Sequence, residues 1–164
     1  MHEFHRCAFL SVITEGANIA GFSIHCHYDL REKATLNHPY GQGIAIFRDK
    51  LDKLPNKSIY SIEYLTVAPD YRDYRPRLAE MLIRLAVLLA KSLGAGAVTG
   101  VARKDRRVDV TAESVGFETL GEAIKYNNAC GVVYFDCRKD LTHTDESDSF
   151  ISSLTNNQTT NIAA

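Results

Sequence analysis

The stretch SIEYLTVAPDYRDYRPRLAEMLIRLAVLLAKSLGAG, Ser61 to Gly96, decides the fold. It opens on β-branched and aromatic residues and ends in a helical period, so it reads as strand, tight turn and long helix. Leu78, Leu82, Leu85 and Leu89 form one apolar stripe, widened by Met81, Ala86 and Leu88. That period predicts a helix from about Arg75 to Leu93. Pro76 suits its first turn, where the missing donor costs nothing, and Gly94 ends it. The turn carries Arg72, Arg75 and Arg77 and has no glycine. A helix start presents unpaired N–H groups and partial positive charge, which suits an anion. Three arginines make this corner more positive still.

Working outward, CAFLSVITEGANIAGFSIHCHYDL reads as two strands joined around Glu15–Asn18, and Ser58–Val67 as a third. Between them lies a polar excursion, residues 29–57, with one helix. There Ile44, Phe47, Leu51 and Leu54 recur at steps of three and four, and Pro55 stops the run. Beyond the long helix, AVTGVAR reads as a short buried strand. KDRRVDVTAESVGF reads as a weaker helix ending at Gly116, and FETLGEAIKYN and ACGVVYFDCRK as two closing strands. Residues 1–141 are thus expected to form the domain. Residues 142–164, rich in Ser, Thr and Asn, carry few apolar side chains beyond Phe150, Ile151 and Leu154 and are expected to form a disordered tail.

Composition sets outer bounds. A chain of 164 residues is long enough for one domain with a real core. Nineteen Lys and Arg stand against twenty Asp and Glu, a net charge of -1. Nothing global draws this chain to nucleic acid or to an anionic membrane, so any electrostatic argument is local. No apolar run approaches the ~18 residues a membrane span needs. The N-terminal MHEFHRCAFLSVITEG lacks a basic start and a small-residue cleavage site, which places the expected protein in the cytoplasm. Cys7, Cys26, Cys130 and Cys137 make no C-x-x-C pair and read as reduced, apolar-segment thiols. His25 and His27 share a strand face at spacing two. No second ligand pair accompanies them, so no metal is expected.

The strand and turn IEYLTVAPDYR, together with GVARKDRRVDVTAESVGF and its Gly116–Phe117 pair, resemble the GNAT superfamily of N-acyltransferases from about Cys7 to Arg138. The resemblance implies an α/β (α+β) fold: a mixed, mostly antiparallel sheet flanked by helices. It also implies that the family's usual N-terminal strand and two helices are missing, since only MHEFHR precedes the first strand. The helix at 44–54 or a second subunit would cover the exposed face, and an uncovered edge makes a homodimer part of the reading.

What the resemblance implies chemically is acyl transfer to an amine from a pantetheine thioester by direct attack. The donor would be acetyl-CoA or a longer acyl-CoA, or an acyl carrier protein, as in long-chain N-acyl amino acid synthases. Backbone groups near Leu65, Thr66 and Val67 would pair with the pantetheine arm. Arg72, Tyr74, Arg75 and Arg77, with the helix start, would take the phosphates. The family turn runs Arg/Gln-x-x-Gly-x-Gly/Ala. Aligned on Arg72 its small positions are Arg75 and Arg77, and aligned on Arg75 they are Leu78 and Glu80. Three readings stay open for the arginines: side chains gripping phosphate, a face for an acidic carrier protein, or solvated and ion-paired residues.

Glu63 matches the glutamate that some family members use as base, and alternation places it on the face of Leu65 and Val67. The alternative is an arginine partner or a wet strand edge. The family's tyrosine, which protonates the leaving thiolate, corresponds to Ala112, and the asparagine at the start of that helix corresponds to Asp105. Tyr126 is a further candidate acid, though a core or rim role suits it better. These departures keep a second class in view, a degenerate acyltransferase fold serving as a binding or dimerisation module.

Overall fold

A computed structural model describes residues 7–31, 48–54, 56–73, 77–125, 127–142 and 149. Strands β1 (Cys7–Glu15) and β2 (Asn18–Asp29) form an antiparallel hairpin. Gly16 turns it at φ +58°, a left-handed conformation that glycine adopts without strain. Strand β3 (Ser58–Val67) runs antiparallel to β2. It is parallel to β4 (Ala97–Arg103), which a helix separates from it in sequence, as a parallel connection requires. β5 (Glu118–Lys125) and β6 (Asn128–Asp136) form the last hairpin, with β6 beside β4. Among the described residues this makes one six-stranded sheet in the order β1-β2-β3-β4-β6-β5, mixed and mostly antiparallel.

Helices pack on both faces. Helix α1 (Arg48–Leu51) is the described part of the helix expected at 44–54; Ile44, Phe47 and Pro55 lie outside the described residues. Leu51 and Leu54 pack on Tyr28, Ile59, Ala97 and Val132 of one sheet face. The other face carries α2 (Leu78–Ser92) and α3 (Val108–Val115). There Tyr60, Val98, Val133 and Phe135 meet Ile83, Ala86, Val87 and Ala90 of α2 and Ala112 and Val115 of α3.

Helix α2 differs from its sequence reading in two respects. It begins at Leu78 with Arg77 at its N-cap, whereas the period suggests about Arg75; Pro76 lies outside the described residues. Its buried face keeps Leu78, Met81, Leu82 and Ala86 of the expected stripe but extends over Ile83, Val87 and Ala90, while Leu85, Leu88 and Leu89 are only half-buried. The alanines allow the helix to lie close to the sheet. Arg84 belongs to that buried surface, because Glu80 on the preceding turn accepts from its Nε and the Thr142 carbonyl from its Nη1. A buried guanidinium is tolerable only when its charge is met this way; Nη2 lies 2.9 Å from Glu80 Oε1 but makes no hydrogen bond. Thr142, where the tail was expected to start, is therefore tied to the domain, and its N–H also reaches the Val115 carbonyl. Apart from Thr142 and Ser149, the expected tail lies outside the described residues.

Both long helices end as glycine predicts. At Gly94 (φ +71°) the Ala95 N–H returns to the Ala90 carbonyl and the Gly94 N–H to Lys91. At Gly116 (φ +110°) the Phe117 N–H returns to Ala112 and the Gly116 N–H to Glu113. These are paired Schellman bonds, and they leave fewer orphan carbonyls at each end.

Candidate active site

The site begins where a ladder stops. β3 and β4 pair at Ile59–Ala97, Tyr60–Val98, Ser61–Thr99 and Ile62–Gly100, and no further. Beyond that point β3 stays on β2 as far as Val67–Gly21, and β4 stays on β6 as far as Arg103–Cys130. The sheet therefore forks. Each prong keeps its outer partner, while Glu63–Val67 and Val101–Arg103 have no strand between them. Backbone groups on the inner edges are left for something other than this sheet. A cleft of about 940 Å³ fills the fork, within the usual size range of ligand sites.

Glu63, Leu65, Thr66, Val67, Arg72 and Arg77 all line this one cleft. Tyr74 and Arg75 lie outside the described residues, as does Tyr126. Arg72 follows a single 3₁₀ turn at Pro69–Tyr71. The Tyr71 hydroxyl bonds to Glu15 of the first hairpin, and the hydroxyl's pKa is raised by that bond. The turn is thus fastened to the sheet edge. Arg77, in extended conformation with no side-chain cap, exposes the α2 N-terminus at the cleft. Among the described residues neither Arg72 nor Arg77 has a carboxylate within ion-pair distance, and both are exposed. Arg72, Arg77 and the helix start thus bring unneutralised positive charge together at one corner.

Glu63 sits differently from its sequence reading. Tyr64 pairs with Ile24 and Ile62 with His25, so Glu63 is the extra residue of a β-bulge. A bulge interrupts strand alternation. Ile62 and Leu65 pack toward the α2 side, whereas the Glu63 carboxylate accepts the Tyr28 hydroxyl at 2.9 Å on the α1 side. Glu63 consequently does not share the face of Leu65. Its described partner is a phenol, not the arginine considered as an alternative. Neighbouring Tyr64 is exposed and stacks on Phe22 at 5.7 Å.

The opposite wall was less legible. Asp105 is held by both ends of Arg103, and that pairing keeps its carboxyl below the ordinary range. Arg103 also reaches the Asn128 side-chain oxygen. Arg106 and Arg107 stand at the start of α3, where Arg107 adopts φ +54°, an uncommon conformation for a side chain of this size. The run KDRR before an apolar helix was the available signal for this second basic helix start. Ala112 and Cys130 are buried on this wall and offer no hydroxyl to the cleft. Among the described residues no group of His, Cys, Asp and Glu could hold a metal ion, and no helix is long and apolar enough to cross a membrane.

No protein-family model matches the sequence, and no curated protein matches it. Solved structures do match the fold. A mosquito arylalkylamine N-acetyltransferase-like protein (5b) aligns with TM-score 0.57 at 18% identity, over 77% of this chain and 74% of that one. FeeM, an N-acyl amino acid synthase from uncultured soil microbes, aligns with TM-score 0.58 at 11% identity, over 80% and 74%. BjaI, a CoA-dependent acyl-homoserine lactone synthase solved with isopentyl-CoA, gives 0.55 at 16% identity over 90% of this chain and 64% of its own. A forked mixed sheet, with the long helix leaving its third strand, and these alignments lead to one statement: the chain has the fold of the GNAT N-acyltransferases.

Proposed function

We propose that this chain is an N-acyltransferase that takes an acyl group from a pantetheine thioester and gives it to an amine. The observation that carries the reading is the fork after Ile62–Gly100, which leaves β3 backbone from Glu63 to Val67 facing a cleft whose mouth is cationic. An extended pantetheine arm, with amide groups at strand-like spacing, can use that edge at Leu65 and Val67 as an added strand would, the backbone groups of Thr66 between them facing β2. The donor's phosphates meet Arg72, Arg77 and the α2 N-terminus, where side chains replace the absent glycines. Acetyl-CoA or a longer acyl-CoA fits this description. An acyl carrier protein would place its acidic surface on the same arginines.

The reaction is a direct attack. The amine nitrogen forms a bond to the thioester carbonyl carbon, and the oxyanion is held by backbone N–H near Val67. Glu63 accepts the amine proton, the C–S bond breaks, and the thiolate leaves with its electron pair. A thiolate departs without help, which suits a wall where Ala112 supplies no acid.

The test is a calorimetric titration of the protein with acetyl-CoA, decanoyl-CoA and acetyl-pantetheine. CoA esters should bind, and Arg72→Ala and Arg77→Ala should each weaken them about tenfold, the worth of one charge-assisted contact. Acetyl-pantetheine, lacking the nucleotide phosphates, should be indifferent to both changes. Ala112 and the glycine-free turn favour a second reading, a binding or dimerisation module. Failure of every thioester to bind, carrier-protein-bound donors included, would overturn the acyltransferase reading and leave that module as the one standing.

A further inference from the structure

Glu63 reaches the cleft from a bulge, where strand pairing alone fixes a side chain poorly. What fixes it comes from the neighbouring strand. The Tyr28 hydroxyl donates to Glu63 Oε1 at 2.9 Å. The Tyr28 ring is buried, 8% exposed, in the apolar cluster with Leu51, Leu54, Ile59 and Tyr134. Its position is therefore set by packing from α1, β3 and β6. Among the described residues, no cation lies within ion-pair distance of Glu63.

We infer that Tyr28 is a positioning residue for acyl transfer: it pins one carboxylate oxygen of Glu63 and leaves Oε2 to receive the acceptor's proton. The inference rests on the proposed role of Glu63. A phenol suits the task, because it orients a carboxylate through a directional bond without neutralising it, as a guanidinium would. The arrangement also gives the acceptor a direction. Tyr28 draws the carboxylate to the α1 side of the sheet, while Leu65 packs toward α2. Donor and amine thus meet at the fork from different faces. No covalent step involves Tyr28, whose proton stays on its own oxygen throughout.

The experiment is a double-mutant cycle on the full chain with Tyr28→Phe, Glu63→Gln and the pair. Thiol release from acetyl-CoA or decanoyl-CoA is followed with an arylalkylamine or an amino acid as acceptor, beside the donor Kd. Tyr28→Phe keeps the ring that fills the cluster and removes only the hydroxyl. It should lower kcat about tenfold with the donor Kd within about twofold, and Glu63→Gln should lower kcat about a hundredfold or more. In the pair, losing the hydroxyl should cost nothing further, since there is no carboxylate left to orient. Unchanged kcat in Tyr28→Phe, losses that multiply in the pair, or a kcat loss matched by weakened donor binding would each overturn the role of Tyr28 alone. If the unaltered protein releases no thiol with any donor and acceptor, the acyltransferase reading itself falls, and this role with it.

Discussion

The two walls of the cleft are both basic, and they differ in how much of that charge is paired: on the β4–α3 wall Arg107 alone of the four basic residues from Arg103 to Arg107 has no carboxylate within ion-pair distance among the described residues. On the β4–α3 wall Arg103 is locked to Asp105, Arg106 leans on the same carboxylate at 3.7 Å, and Lys104 pairs with Glu122. On the β3–α2 wall Arg72 and Arg77 have no such partner among the described residues. Positive charge that the fold has already satisfied contributes structure. Positive charge left at a helix start is held at a cost, because it adds to the partial charge of the unpaired N–H groups. Arg103 therefore reads as scaffold, while Arg72 and Arg77 are the residues of the proposed anion site. Each wall can be perturbed separately.

The largest expected effect lies under the β3 wall. His25 is buried, stacks on Tyr60 at 5.3 Å and pairs with Ile62 at the point where the sheet forks. Its Nε2 bonds to the Ser23 hydroxyl, and burial pushes its pKa down to about 4 from 6.5. The native state therefore holds a neutral imidazole, while the unfolded chain protonates more readily. That contribution is complete above pH 6.5 and is lost as pH falls toward 4, a total of about 3 kcal/mol. The paired carboxylates act in a lower window. Asp29, held by Arg31 down to about 2, loses its part only between pH 3.8 and that value. Urea denaturation at about pH 7 and about pH 4.5 should show the upper loss, and His25→Phe should flatten it. An unchanged slope in that variant would remove His25 from the account.

The unequal neutralisation of the walls is tested next. Arg72→Ala with Arg77→Ala should weaken acyl-CoA binding about a hundredfold, close to 2.7 kcal/mol if the two contacts are independent. Arg103→Ala should leave affinity within about threefold, since its charge is committed to Asp105. Raising salt from about 50 mM to about 500 mM should weaken donor binding in the unaltered protein and change little in the double variant, because screening acts on exposed charge. Equal losses from the two walls would erase the distinction.

How much of this could be read from the sequence follows the range of each interaction. The ends of β3 and β4 and the glycine stops at Gly94 and Gly116 depend on a few adjacent residues, and the structure places them as the sequence implies. The fork itself has no local signal, because a missing ladder is a relation between positions 38 apart in the sequence. The face of Glu63 was misjudged for a similar reason: alternation is local, but a bulge is set by register against β2. Tyr28 lies 35 positions from Glu63, and nothing near either residue announces the bond. The burial of Arg84 likewise needed Thr142, 58 positions away, to become tolerable.

The smallest effects compare the backing of the walls through two glycines. A Cβ on Gly21 of β2 would stand 3.0 Å from the Thr66 carbonyl oxygen and 3.4 Å from Leu82. The first neighbour is backbone of the strand that carries the proposed pantetheine edge, so it can yield only by moving that edge. Gly131 of β6 backs the other wall, where the nearest atom to an added Cβ is the Asp109 Cβ at 3.3 Å, in the first turn of α3. A helix turn can shift a few tenths of an ångström without disturbing a ladder. Gly21→Ala should therefore cost about 2 kcal/mol and also weaken donor binding, whereas Gly131→Ala should cost about 1 kcal/mol or less and leave the donor alone. Thermal unfolding with the same calorimetric titration measures both. A donor affinity that responds to Gly131 and ignores Gly21 would move the thioester to the β4 side of the fork.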